Sequence, residues 1–401
     1  MLQAQKPGQA GDSLKARESL RTPASQASTR ILPPQGVLPR DLGIVIGEME
    51  TGRFNAITDV SGVSVGHVTK IEGCDTRTGV TAILPHPGNI FQQKVPAAIY
   101  IGNGFGKLIG YSQVRELGNI ETPIILTNTL SVAIAADALI DYSLEQPGNG
   151  DLRSVNPLVG ETNDGYLNDI RKRGVSKADV FEAIANADTG RIEQGNVGAG
   201  TGTVCFGYKG GIGTSSRILP SAQGGYTVGV LVQSNFGGQL TVAGVALGQE
   251  LLARSDAAHI PPGQSTGIEH ASEGDGSCMI VVATDAPLTS RNLERLAKRA
   301  LLGLGRTGGT MSNGSGDYVI AFSTSIELRV PHKGYARHCN AELPNEAMTP
   351  LFQAVIEASE EAILCSLFAA EDMSGYNAHE VSALPLEESI RILKKHGCLE
   401  E

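Results

Sequence analysis

Asp275-Gly276-Ser277 stands where a long polar stretch gives way to an apolar run, Cys278-Met279-Ile280-Val281-Val282-Ala283. A hydroxyl residue preceded by glycine has a specific chemistry open to it. The hydroxyl can attack the carbonyl before it and shift the acyl group from nitrogen to oxygen; hydrolysis of that ester then cuts the chain. A serine left at a new N-terminus carries a hydroxyl and an α-amine whose reference pKa is about 7.7–8.0. Such an amine accepts the nucleophile's proton near neutrality, so one residue supplies both nucleophile and base. Taken locally, however, Gly-Ser pairs are common, and a Gly-Ser that merely starts a strand is the favoured reading.

Other segments raise those odds. In "NGSGD" (313–317), Ser315 can relay or orient a proton, and Asp317 can stabilise an α-ammonium as it forms. The same run also reads as an ordinary turn capped by Asn and Asp. Asn235 can donate its side-chain amide to an oxyanion, or simply tolerate a left-handed turn before Phe236-Gly237-Gly238. Glu161 and Asp164, in the Gly-flanked "VGETNDG", can receive a substrate ammonium; by themselves they look like a solvated loop.

The elements that must position these residues follow from patterning. Residues 277–325 read as strand, helix, strand. The helix places Leu293, Leu296, Ala297, Ala300, Leu301 and Leu304 on one apolar face. Such a crossover normally makes its two strands parallel, so Ser277 and the Ser315–Asp317 turn begin at one sheet edge. Asn235 ends the run "VGVLVQS" and shares that edge if its strand is antiparallel to the Ser277 strand. Earlier strand-like runs fall near 55–70, 79–86, 97–106 and 122–129, followed by a helix pattern in "LSVAIAADALIDYSLEQ" and a loop reaching to 174. Ser176 reads as an N-cap with Asp179 three residues on. A Gly-turned hairpin is expected over 202–219 and a small-residue helix over 239–252. Polar loop fills 253–276, and helices cover about 346–369 and 385–395. Strands in bulk with a few long helices predict layered sheets flanked by helices.

Composition excludes several classes. A net charge of −10 disfavours nucleic acid and permits a cationic ligand. No apolar run of 18 residues offers a membrane span. Six cysteines without a CxxC pair and eight scattered histidines without HExxH argue against a metal site or any cofactor. "GNGFG" and "GNVGAGTG" do not fit a phosphate loop, and no GxSxG elbow is present. Residues 1–40, polar and rich in Pro, Ser and Gln without a signal-like apolar core, read as a disordered leader of a cytoplasmic protein.

Six ordered motifs, "NAITDVSGVSVGH", "VGETNDG", "GNVGAGTGTVCFGYKGGIGTSSR", "VQSNFG", "DGSCMIVVATDAPL" and "GSGDYVIAFSTS", together resemble the L-aminopeptidase/D-Ala-esterase-amidase family and its β-peptidyl aminopeptidase relatives. The likeness runs from "RDLGI" (40–44) to the end of the chain. It implies an α+β fold, a four-layer αββα sandwich made as one precursor and cut between Gly276 and Ser277. Residues 41–276 would form the α-chain part of the domain and 277–401 the β-chain part. By the same resemblance Ser277 is the nucleophile, Ser315 and Asp317 complete the acid–base network, Asn235 stabilises the oxyanion and Glu161 grips the substrate's free amine. The position matching Asp317 is Glu in some β-aminopeptidases, so this chain carries the shorter carboxylate. Asn163 falls where substrate preference is expected to vary. The implied substrates are short peptides, amino-acid amides or esters, and the implied assembly is a homo-oligomer, a tetramer of αβ units. The alternatives are an amidase for ω-amino-acid oligomers, an ornithine acetyltransferase-like acyltransferase, or an uncleaved small-amine binder. The first two typically use Thr where this chain has Ser277.

Overall fold

The computed structural model describes residues 36–257, 275–334 and 342–399. Most of the leader expected over 1–40 therefore lies outside the described residues, as do residues 258–274 of the polar stretch before Ser277. Residues 36–40 are already part of the fold. Pro39–Leu42 make one 3-10 turn, and the Arg40 guanidinium grips the buried Glu361 carboxylate through Nε at 2.6 Å and Nη2 at 2.9 Å.

The strands of five or more residues are β1 (Ser64–Glu72), β2 (Thr76–Leu84), β3 (Gln93–Gly104), β4 (Ile124–Asn128), β5 (Leu158–Thr162), β6 (Gly211–Ile218), β7 (Thr227–Asn235), β8 (Asp275–Thr284) and β9 (Gly314–Ser323). Among the described residues the helices are α1 (Tyr111–Leu117), α2 (Val132–Glu145), α3 (Lys177–Ala185), α4 (Leu247–Ala257), α5 (Ser290–Arg306), α6 (Met348–Phe368) and α7 (Leu386–Lys395).

Two sheets stack between helices. The smaller runs β1-β2-β4-β5, with only the β4–β5 pair parallel. The larger has the order β3-β9-β8-β7-β6, extended beside β3 by Val330–Pro331 and by Asn119–Ile120. Strand periodicity sorts side chains into three apolar layers. On β8, Cys278, Ile280 and Val282 face α5 and α6, while Met279, Val281 and Ala283 enter the layer between the sheets with Leu126 and Leu158. A third layer packs Val80, Ala82, Ile125 and Val159 against Ala135 and Leu139 of α2 and Val180 and Ala183 of α3. β8 is thus covered on both faces, which is why it reads as an unbroken apolar run. The result is the expected four-layer αββα sandwich.

Several local expectations hold. The six apolar positions of α5 are all buried. Ser176 caps α3, its hydroxyl accepting from the Asp179 amide while the Asp179 carboxylate accepts from the Ser176 amide. Three expectations need correcting. The helix expected from 239 begins only at Leu247, because Ala243 and Gly244 adopt φ of 48° and 82° and turn the chain between Val242 and Val245. The loop expected to run through "VGETNDG" is a strand as far as Thr162: Leu158–Thr162 pairs in parallel with β4. Its glycine and glutamate break the apolar pattern by which a buried strand is recognised. The hairpin expected over 202–219 is shorter than its strands suggest. Val204–Cys205 pairs with Tyr208–Lys209 around Phe206 and Gly207, both left-handed, and β6 then pairs with β7 instead.

Candidate active site

The central strands of the larger sheet assemble the site. β8 and β9 are parallel, with Ser277 opposite Gly316, and β7 is antiparallel to β8, with Asn235 opposite Ser277. Asn235, Ser277 and Gly316 therefore form one row across three strands, flanked on β9 by Ser315 and Asp317. This is the shared edge expected from the strand–helix–strand order.

Ser277 is buried, and its hydroxyl donates to the Gly276 carbonyl oxygen at 2.6 Å, while the Gly316 amide donates to Ser277 Oγ at 3.3 Å. The hydroxyl thus touches the carbonyl group of the Gly276–Ser277 bond. Gly276 passes so close to β7 that a Cβ there would lie 2.8 Å from Phe236 Cα and 3.1 Å from the Asn235 carbonyl oxygen. Only glycine lets the two backbones approach this closely.

The Val204 amide donates to Asn235 Oδ1 at 2.9 Å. A backbone N–H needs an acceptor, so this bond fixes which end of the side-chain amide faces the hairpin and leaves the NH2 as the free donor. Behind it, the wholly buried Lys209 donates to the Gly200 and Gly210 carbonyls at 3.0 and 2.7 Å, and burial pulls its pKa down to about 7.

Asp317 and Ser315 are both 1% exposed, and both Asp317 carboxylate oxygens and Ser315 Oγ lack a hydrogen-bond partner. Burial pushes the Asp317 carboxyl up to about 6; the nearby Ser315 hydroxyl and Cys278 amide pull it back only in part. Three unpaired buried polar atoms beside Ser277 are costly unless something else completes them. The Ser315 carbonyl is tied to β3 and its following loop, accepting from the Asn103 side chain and from the Phe105 amide at 3.1 Å.

Glu161 is 3% exposed, on β5 of the other sheet, and is not the solvated loop residue that its neighbours suggest. The Lys107 amide donates to its Oε1 at 2.9 Å and the Thr129 hydroxyl donates to its Oε2. Gly106 brings this side of the molecule to the row of Ser277: a Cβ there would stand 3.3 Å from Glu161 Oε1 and 3.4 Å from Gly316 Cα. Asp164, the other acidic candidate, is built into its own turn. Its Oδ1 accepts from Asn168 Nδ2 at 2.9 Å, its Oδ2 is unpartnered, and burial raises its pKa to about 6. Asn163 is exposed and accepts from the Gly165 amide at 2.9 Å. Sequence reasoning missed Thr129, the Lys107 amide, Val204 and Lys209. The one legible signal was a polar Thr127-Asn128-Thr129 end to an apolar strand.

Among the described residues, no group of three or more His, Cys, Asp or Glu side chains gathers as a metal site would require, and no helix is long and apolar enough to cross a membrane.

Comparison with known proteins supplies the class first: a serine hydrolase on a variant of the Ntn hydrolase fold, acting as an aminopeptidase. The model of "Peptidase family S58" matches residues 55–381, and the chain belongs to that family. It is 40% identical over 379 residues to beta-peptidyl aminopeptidase BapA of Sphingosinicella microcystinivorans, covering 90% of this chain and 93% of that one. Among solved structures it is similar to a Burkholderia sp. beta-aminopeptidase, with 40% identity and a TM-score of 0.81 over 90% of this chain and 99% of that one. It is also similar to the L-aminopeptidase D-Ala-esterase/amidase of Ochrobactrum anthropi, a prototype for the serine aminopeptidases, with 35% identity and a TM-score of 0.81 over 92% and 100% of the two chains.

Proposed function

We propose that this aminopeptidase is made as one inactive chain, cuts itself between Gly276 and Ser277, and then releases N-terminal residues from short peptides, amino-acid amides and esters. The observation that carries this reading is the contact of the buried Ser277 hydroxyl with the Gly276 carbonyl, in a row with Asn235 and beside an unpartnered Asp317. In maturation, Ser277 Oγ attacks the Gly276 carbonyl carbon, the C–N bond breaks, and the acyl group rests on oxygen as an ester. Water then hydrolyses the ester, leaving a carboxylate on Gly276 and a free α-amine on Ser277. Residues 41–276 and 277–401 remain the two parts of one αββα domain.

In turnover, Ser277 Oγ attacks the substrate carbonyl while its own α-amine takes the proton. The α-ammonium so formed is the partner that the Asp317 carboxylate lacks in the uncut chain, with Ser315 relaying or orienting the proton. The free NH2 of Asn235 donates to the oxyanion, where a preorganised donor is most effective. The leaving amine departs with a proton from the α-ammonium, and water hydrolyses the acyl-enzyme. Glu161, buried without a lysine or arginine partner among the described residues, holds the substrate's ammonium, and the exposed Asn163 tunes preference. The resemblance supports a tetramer of αβ units.

The test is a gel and mass analysis of purified protein with an assay on aminoacyl p-nitroanilides. Two fragments, the smaller beginning Ser-Cys-Met-Ile, together with hydrolysis of free-amine substrates, support the reading. A single uncut chain without activity favours a small-amine binder.

A further inference from the structure

We infer that Thr129 is a positioning residue for the amine grip, acting with the Lys107 amide to fix the Glu161 carboxylate in the one orientation that selects free-amine substrates. The inference rests on the reading of Glu161 as the anchor for the substrate's ammonium.

Glu161 lies near the end of a short strand of one sheet, whereas the nucleophile's row belongs to the other. A glutamate has three rotatable side-chain bonds, so burial alone does not set where its oxygens point. Two donors do. Lys107, on the loop after β3, gives its amide to Oε1 at 2.9 Å, and Thr129, just past the end of β4, gives its hydroxyl to Oε2. They come from different elements, and each takes one oxygen. A carboxylate has about four acceptor positions, so each oxygen keeps one for a ligand. An ammonium carries three donors and a full charge. It suits both the remaining acceptors and a carboxylate that has no cationic partner among the described residues.

The two donors are not equivalent. The Lys107 amide belongs to the backbone of a closely packed loop, in which a Cβ on the neighbouring Gly106 would stand 3.4 Å from Gly316 Cα. The Thr129 hydroxyl is a side-chain donor that substitution can remove, and Glu161 is its hydrogen-bond acceptor. Removing it leaves Oε2 buried and released, and the carboxylate free to pivot about its bond to the Lys107 amide. Ground-state binding of the ammonium should suffer, whereas the attack geometry set by Ser277, Asn235 and Asp317 should not.

The experiment compares Thr129→Val, which keeps the shape and removes the donor, with Thr129→Ser, which keeps the donor. Both are assayed on leucyl p-nitroanilide and its N-acetyl form, alongside Glu161→Gln, after a gel confirms cleavage into two chains. Thr129→Val should raise KM for the free-amine substrate about tenfold with kcat within about twofold. It should leave kcat/KM for the acetylated substrate unchanged, and Thr129→Ser should restore KM. If Glu161→Gln abolishes the preference for the free amine while Thr129→Val leaves KM unaltered, the positioning role is overturned and the anchor stands. The positioning role is overturned equally if Val and Ser impair the enzyme alike, or if Thr129→Val lowers both substrates by one factor. If Glu161→Gln leaves the free-to-acetylated ratio intact, the anchor itself is refuted, and Thr129 loses its role with it. Should the valine variant not mature, Thr129→Ala and Thr129→Ser carry the same comparison.

Discussion

Replacing Asp317 by Asn in a chain that cannot cut itself isolates the cost of burying that carboxylate. In Ser277→Ala no α-amine is released, so Asp317 keeps the surroundings described for the uncut chain: 1% exposed, both oxygens unpartnered, and a pKa raised from 3.8 to about 6. A shift of roughly two units corresponds to about 3 kcal/mol. The sign follows from proton binding. Because the folded pKa lies above the unfolded one, the folded chain binds its proton more tightly. The stability so contributed is fully present below about pH 4 and is lost as pH rises through about 6. Ser277→Ala/Asp317→Asn never ionises at this position. It should match Ser277→Ala near pH 4 and exceed it by up to about 3 kcal/mol at pH 8, a Tm gain of about 4 °C for a chain of this size. Thermal unfolding of the two proteins across pH 4–8 measures this directly. A Tm difference that is the same at both ends, or one that shrinks as pH rises, refutes the view that an unpaired carboxylate is buried there. The gain in stability should accompany a loss of turnover when the same Asp317→Asn change is made in the chain that keeps Ser277, since a group kept at such cost is kept for function.

Ser277→Ala should run as one band on a gel, because no side-chain nucleophile remains; a cleaved Ser277→Ala chain would show that an external protease makes the cut. Gly276→Ala sets a methyl 2.8 Å from Phe236 Cα, and it should slow the appearance of the smaller fragment and cost about 1–3 kcal/mol in stability. Unchanged cleavage kinetics would show that this close approach does not matter to maturation. Glu161→Gln should lower kcat/KM for free-amine substrates by about one to two decades, the worth of a charge-assisted contact of about 1.5–3 kcal/mol, while self-cleavage persists. Activity should survive dialysis against EDTA, and a loss restored by zinc or manganese would overturn the metal-free mechanism.

Much of the scaffold was legible because it depends on local periodicity. The apolar face of α5, the two-sided burial of β8 and the cap at Ser176 follow from residues a few positions apart. The row of Asn235, Ser277 and Gly316 was legible for a related reason. A crossover fixes β8 and β9 as parallel, and the ends of apolar runs mark a shared edge. Other features were decided only when the two sheets stacked. Glu161 sits in a segment whose composition reads as loop, and its burial and its two donors from separate elements have no sequence period. The same holds for the Val204 amide that orients Asn235 and for the unpartnered oxygens of Asp317. Periodicity reports which face of its own element a side chain takes. What that face meets depends on how sheets formed by distant segments settle against each other, and burial, orphaned polar atoms and shifted pKa values arise only there.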